Sequence, residues 1–384
     1  MTKLGFTVVA VLAGVVSLIA AVGASAAPKA PRVVGHVYID DNTAGANTVA
    51  GFDRHADGSL TPIPGSPFSA GGAGAGHANA SQGSLQFSAD GRYLLAVDAG
   101  SNRISVLRIK PDGSLRIADV VSSNGGNPVS IAVDGGLVYV ANADAENPNY
   151  TGFTLNQGGD LRPIPGSTVP LPAGSQPGDV LFNGDGTKLV GTRVGTSEID
   201  SFTVGADGLL TAASGSPFEH QTGVFGQFGS EFNPTNPAQL FVSNAHTAAN
   251  GPASGSVSAY TDAADGTLTP IGASPFANAG TASCWIEVSH DGQYLYTVDT
   301  ASSTVSSYSI GPDGSLTAIG STPIKNGKGA EDARLSPDGS TLWVVNGGGD
   351  AINAFSVDGG TLIELTSSPT AGPAGATPSG IVVN

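Results

Sequence analysis

Phe87–Asp98 reads FSADGRYLLAVD, Val288–Asp299 reads VSHDGQYLYTVD and Leu335–Asn346 reads LSPDGSTLWVVN. Each sets two alternating apolar runs around Asp-Gly, a strong hairpin signal because Gly supplies the positive φ that the turn needs. Outward from the first copy, SLQFSADGRYLLAVDAGSNRISVLRIKPDGSLRIADV (Ser84–Val120) divides into four strands: Ser84–Ser88, Tyr93–Val97, Arg103–Ile109 and Ser114–Val120. The turn joining the last two recurs along the chain as Asp57-Gly58, Asp112-Gly113, Gly159-Asp160, Asp207-Gly208, Asp265-Gly266, Asp313-Gly314 and Asp358-Gly359, spaced about 45 to 58 residues apart. Four-stranded repeats of that length are the blades of a propeller, since no single blade can bury both of its faces.

The expected fold is therefore all-β: a seven-bladed β-propeller of four-stranded antiparallel blades. Composition agrees, with 56 Gly and 25 Pro, and with charged residues at 12%, about half the usual share. Proline in LTPI (Leu60–Ile63), LRPI (Leu161–Ile164) and LTPI (Leu268–Ile271) fits an outermost strand, where a missing N–H faces solvent. Ser-Pro-Phe follows at Ser66–Phe68, Ser216–Phe218 and Ser274–Phe276, a strand stop and an aromatic expected to pack between blades. The first repeat lacks its innermost strand, and the chain ends in ATPSGIVVN, which resembles the innermost-strand segments GNPVSIAVD and SQPGDVLFN. The C-terminal strand is thus expected to complete the first blade and close the ring.

Lys3, the apolar run Phe6–Val22 and the small residues Ala24-Ser25-Ala26 have the form of a cleavable export signal. This divides the chain into a signal peptide (1–26), a linker (27–32) and the propeller (33–384), and it implies a secreted protein. An uncleaved anchor is the alternative, because the run is near the lower limit for a spanning helix; no later segment is long and apolar enough to cross a membrane. The formal net charge of −16 speaks against nucleic acid and anionic membranes as partners. Cys284 is the only cysteine, so no intramolecular disulfide forms. No metal site or cofactor is expected: there is no His-Glu-x-x-His, Cys-x-x-Cys or G-x-S-x-G, and Gly71–Gly76 lacks the Lys-Ser/Thr ending of a phosphate loop. That glycine run reads as a flexible connector. ADAENPN (Ala143–Asn149) gathers oxygen ligands without the spacing of a calcium loop. A monomer is expected.

In a propeller the loops entering each blade and the loops between its second and third strands share one face around the central channel, and insertions there point to function. From the polar residue ending the second strand to the bulky residue of the third, Asp98–Leu107, Arg193–Phe202, Asp299–Tyr308 and Asn346–Phe355 keep one interval. Asp40–Phe52, Asn142–Phe153 and Asn244–Tyr260 exceed it, the last loop carrying His246. Arg193 stands where other blades place Asp or Asn; it is either an anion binder facing the channel or the partner of Glu198. The entering loops supply His77, Cys284-Trp285, and Glu331-Asp332 with Arg334 close behind. Adjacent carboxylates push one another's pKa upward, which makes Glu331 and Asp332 acid–base candidates; a solvated acidic turn is the plain reading. Trp285 serves either blade packing or a substrate wall.

CWIEVSHDGQYLYTVDTASSTVSSYSIGPDGSLT (Cys284–Thr317), preceded by FGSEFNPTNPAQLFVSNA (Phe228–Ala245), resembles the secreted bacterial branch of the lactonase-like seven-bladed propeller family, which includes propeller-type 6-phosphogluconolactonases and carboxymuconate cyclases. The resemblance spans Val33–Asn384. It implies His, Arg and acidic groups at the channel mouth, carried over by position to Arg193, Glu198 and Asp332. Where the phosphogluconolactonase relatives tend to place a His-rich segment, this chain has Ser175-Gln176-Pro177-Gly178, and export sets it apart from a phosphorylated intracellular substrate.

Two functions follow. The first is an enzyme acting on a small lactone or dicarboxylate at the channel mouth. In a lactonase (a carboxylic-ester hydrolase), Glu331 or Asp332 would be the base and Arg193 would stabilise the oxyanion, with Trp285 lining the pocket and His77, Glu198, His246 and Arg334 contacting substrate. In a carboxymuconate-type cyclase, Arg193 and Arg334 would clamp carboxylates. The second is a non-catalytic extracellular propeller binding a ligand, glycan or protein on its loop face. Arg193, Glu198 and Asp332 clustered inward favour an enzyme; the same residues facing outward favour a binder.

Overall fold

A computed structural model describes residues 1, 2, 5, 31–79, 81–247, 251–372 and 376–384. The expected signal peptide and most of the linker lie outside them. The chain divides into Met1–Pro31 and Arg32–Asn384, and the second unit holds every strand described below.

Among the described residues seven antiparallel sheets follow one another along the chain, each with four main strands from the channel outward, in sequence order in all but the first blade, whose innermost strand is the C-terminal one. The second blade runs Leu85–Phe87, Tyr93–Asp98, Arg103–Ile109 and Leu115–Ser122, within two residues of the boundaries expected from its turns. The seven glycines of the recurring outer turn all have positive φ, from 51° at Gly359 to 90° at Gly159, which is the conformation that the Asp-Gly signal demanded. The ring closes as the sequence implies: Gly380–Val383 pairs with Val33–Asp40, in the register Tyr38↔Val382 and Ile39↔Ile381.

The outermost strand is cut short at Pro62, Pro163 and Pro270. After the Ser-Pro turn a two-residue strand resumes pairing with the third strand, as Phe68–Ser69, Phe218–Glu219 and Phe276–Ala277. Their phenylalanines pack into the clusters between neighbouring blades. Seven such apolar clusters are present, one for each blade interface. Between the second and third blades, for example, Tyr93, Leu95 and Val97 meet Ile131, Val138, Val140 and Phe153. Each such side chain contributes roughly 1.5–3 kcal/mol on burial, and Val37, Ile39 and Phe52 against Trp343, Val345 and Ile352 seal the last interface.

Polar groups fix the blades at both faces. On the turn face, Tyr38 and Tyr139, equivalent residues of their second strands, donate to Gly113 O (2.8 Å) and Gly208 O (2.7 Å), the turn glycines of the next blade. On the loop face of five blades (the first four and the sixth), the polar residue that ends the second strand bonds the side chain seven residues later. Asn47 donates to Asp40 (2.9 Å), Asn142 to Asn149 (3.0 Å) and Ser306 to Asp299 (2.6 Å). This clasp, more than local turn chemistry, explains the run of Asp and Asn at that position.

Gly71–Gly76 differs from the flexible connector expected. It lies packed between loops: Ala44 and Gly74 form a β-bridge, and a Cβ on Gly74 would stand 2.2 Å from the backbone carbon of Asn42. The absence of side chains there permits close approach of backbones.

Candidate functional site: a charged channel

The innermost strands of blades four to seven bring charge to the axis. They are Pro177–Phe182, Val224–Asn233, Ser283–Val288 and Ala330–Leu335. Registers with the second strands (Leu181↔Val190, Glu231↔Phe241, Glu287↔Tyr296, Arg334↔Trp343) place Leu181, Glu231, Glu287 and Arg334 at one level. Gln86, from Gln86↔Leu95, shares that level. Asp179 and Asp332 lie two residues earlier, nearer the loop face.

Glu287 is held by both oxygens: Oε1 accepts from Leu335 N (2.9 Å) and Oε2 from Arg334 Nη1 (2.8 Å). Asp179 accepts from Ser230 N (2.9 Å), Ser230 Oγ (2.6 Å) and Ser130 Oγ (3.1 Å), bridging three blades. Asp332 accepts from Ala333 N at 2.9 Å. Burial would lower the basicity of Arg334, but Asp332, Glu287 and Glu231 around it hold its guanidinium protonated more firmly than a free arginine. Beyond Glu287 and the Ala333 carbonyl, its N–H groups make no hydrogen bond among the described residues.

Glu231 has no hydrogen-bond donor to its carboxylate among the described residues. Burial, then the neighbouring Glu287, push its pKa up to about 8, against the opposing pull of Arg334. Asp179 and Asp332 are raised to about 6, chiefly by burial. One cation therefore faces four carboxylates, and the proton missing from a full set of charges rests most readily on Glu231.

Access is one-sided. At the charged level Gln86, Leu181, Glu231 and Arg334 are partly exposed and Glu287 is buried, whereas Ser84, Ser130, Asp179, Trp285 and Asp332, one level nearer the loops, are all buried. Solvent thus reaches the charged level from the face carrying the Asp-Gly turns. The expectation placed the site at the opposite, loop-bearing mouth.

The structure scatters the other expected residues. Asp332 and Arg334 join the channel cluster. Glu331 does not: it points away at the loop end of the same strand, its Oε2 buried without a partner and its pKa raised to about 8 by burial and by Asp332. Arg193 is enclosed between blades. Nε donates to Asp200 Oδ2 (2.7 Å), Nη2 to Asp200 Oδ1 (2.5 Å) and Nη1 to Glu198 Oε2 (2.9 Å), while Tyr150 donates to Asp200 (3.0 Å). Arg193–Asp200 is the seven-residue clasp in ionic form. Trp285 packs on Phe228, ring centroids 5.8 Å apart, and donates to Ser81 O (2.6 Å). His77 is exposed on its loop. His246 lies on a continuation of the fifth blade's second strand (Asn236–Thr247), stacked on Phe225, which also meets His220 at 4.6 Å. Residues 248–250 of that loop lie outside the described set.

Asp179, Glu231 and Glu287 were missed. The available signal was an acidic residue inside the innermost strand, in GDVLF, SEF and IEV, with Glu231 and Glu287 at aligned positions and Asp179 two residues earlier. Among the described residues no group of three or more His, Cys, Asp or Glu has a geometry that could hold a metal ion.

Comparison with solved structures finds the same fold in a 6-phosphogluconolactonase candidate from Bacteroides uniformis (TM-score 0.74, 19% identity, 92% of this chain and 100% of that one). It finds it again in the periplasmic gluconolactonase of Pseudomonas aeruginosa (TM-score 0.71, 18% identity, 91% and 98%). Virginiamycin B lyase of Staphylococcus aureus is also similar (TM-score 0.53, 16% identity, 77% and 86%), so the architecture spans different chemistries. No curated protein matches the chain. The family model described as lactonase, 7-bladed β-propeller, matches residues 45–182 and 214–378. Carrying that match over most of its length, the chain belongs to the lactonase family of seven-bladed β-propellers.

Proposed function

We propose that the chain is an exported lactonase-type hydrolase, whose reacting groups are Glu231 and Arg334 at the turn-face end of the channel. The observation that carries this reading is an unbonded carboxylate beside a guanidinium with open N–H groups, in a partly exposed layer. In this mechanism Glu231, as carboxylate, takes a proton from water as the water oxygen bonds to the lactone carbonyl carbon. Arg334 holds the oxyanion that forms, already oriented by Glu287. Collapse re-forms the carbonyl and breaks the ring C–O bond, and the departing alkoxide takes the proton back from Glu231. A hydroxy acid leaves. Arg193 has no part in these steps, because Asp200 and Glu198 occupy its N–H groups.

Substrate enters from the turn face in this reading. Export rests on the leader Lys3 to Ala26, and an N-terminus at Ala27 in protein recovered outside the cytoplasm checks it. The activity is tested by following proton release from γ- and δ-lactones, sugar-derived and aromatic-pathway, against the spontaneous rate. Turnover is expected to rise with pH as Glu231 ionises, and to fall about 100-fold or more in Arg334→Met. A panel on which the wild-type chain never exceeds the spontaneous rate overturns the proposal in favour of a non-catalytic ligand binder.

A further inference from the structure

Above the charged level the channel is crossed by the segment that enters the second blade. Gln82 is 2% exposed and makes three bonds to three other blades. Its backbone N–H donates to Gly178 O (2.9 Å), its side-chain Nε2 donates to Ser230 O (3.2 Å), and its Oε1 accepts from Ile286 N (3.0 Å). Gly83 O accepts from Ile131 N (2.9 Å), and Ser81 O from Trp285 Nε1. Every contacted backbone group adjoins a residue of the cluster or its support: Gly178 precedes Asp179, Ser230 precedes Glu231, Ile286 precedes Glu287, and Ile131 follows Ser130. Gly229 completes the fit, since a Cβ there would lie 2.1 Å from Gln82 Oε1.

We propose that Ser81–Gly83 is a strap that closes the channel toward the loop face and fixes the separation of Glu231 and Glu287, so that Gln82 is a positioning residue of the site and the turn face is its entrance. This rests on the site assigned above. A flexible loop tip would not supply it: one amide here joins two strands whose residues lie 148 and 204 positions away in sequence. Gln82 bonds only to backbone groups, so the strap sets where the acidic residues stand without bonding any carboxylate itself. With the strap in place, water is kept from the loop side of Glu231, consistent with burial as the main cause of its raised pKa.

Gln82→Met keeps the length of the side chain and removes both amide bonds. It is expected to lower kcat about tenfold with KM within about twofold, and to move the midpoint of the pH–rate profile down by about one unit as water reaches Glu231. Gly229→Ala displaces the same amide from the opposite side and should give the same signature, and the double variant should be no worse than Gln82→Met alone, since both break one contact. Wild-type kcat and midpoint in Gln82→Met, or fully additive effects in the double variant, overturn the strap. If the wild-type chain hydrolyses no lactone, the functional reading fails by itself. The strap is then read by ¹³C-carboxyl NMR titration of Glu231, whose midpoint must still fall in folded Gln82→Met; an unmoved midpoint overturns it.

Discussion

The guanidinium of Arg193 is enclosed by Asp200, with Glu198 closing the third side and Tyr150 completing the carboxylate. The guanidinium of Arg334 meets one carboxylate, Glu287, and keeps the rest of its N–H groups toward a partly exposed channel. Both arginines sit among acids; burial loosens the hold of each on its proton, and the neighbouring carboxylates more than offset it. What separates them is saturation. An arginine with every guanidinium nitrogen bonded to a carboxylate ties two strands together; one with nitrogens to spare can receive a developing negative charge. The first belongs to the loop-face clasp that recurs around the ring, the second to a level where only three blades bring charge.

The comparison breaks most sharply at Arg193. Arg193→Met leaves Asp200 buried and uncompensated, and should cost about 3–5 kcal/mol of stability, read by denaturant unfolding, while turnover per folded molecule stays at the wild-type value. A variant as stable as wild type would remove the structural half of the contrast. Arg334→Met reverses the pattern. Its rate loss of about 100-fold should come with a smaller stability loss than that of Arg193→Met, because its surroundings are wetter.

A third expectation concerns pH. Asp40 and Glu331 are raised to about 8 and Asp41 to about 7, chiefly by burial, as is Glu231. Near pH 4 the folded chain keeps these protons, and the unfolded chain sheds them as pH passes the ordinary carboxylate range. Their stabilisation is therefore fully present below that range and is lost as pH rises toward 8. The melting temperature should fall by roughly 5 °C or more between about pH 5.5 and pH 9; a melting temperature that is flat or rises over that interval contradicts the buried, protonated carboxylates. The smallest effect is Glu231→Gln, which removes one of these groups. It should raise stability at pH 9 by about 1 kcal/mol or more, and by less at pH 5.5, where only part of the cost of holding the proton has built up.

The ring was legible because its punctuation is local. Asp-Gly pairs such as Asp112-Gly113 have few conformations open to them, and the kinship of ATPSGIVVN with the innermost strands showed where the ends meet. The site was legible in part. Asp332 and Arg334 stood out as charges in a loop-to-strand segment, but Glu331, their neighbour, faces elsewhere because successive strand residues point to opposite sides. Glu231 and Glu287 carry no motif, and their significance appears only when the innermost strands are set in register with Arg334. Arg193 misled for the converse reason: its unusual residue type marked an ionic version of a clasp that Asp40, Asn142 and Asp299 form with neutral partners. Gln82 could not be read at all, since its two side-chain partners lie in blades on the far side of the ring.

The most direct measurement is kcat for a hydrolysed lactone at about pH 8.5 in the wild-type chain and in Glu231→Gln, once thermal unfolding shows both to be folded. A carboxamide at that position cannot take the proton from water, so a loss of at least about 100-fold is expected. Equal turnover in the two proteins would contradict it, and would move the chemistry away from the charged channel.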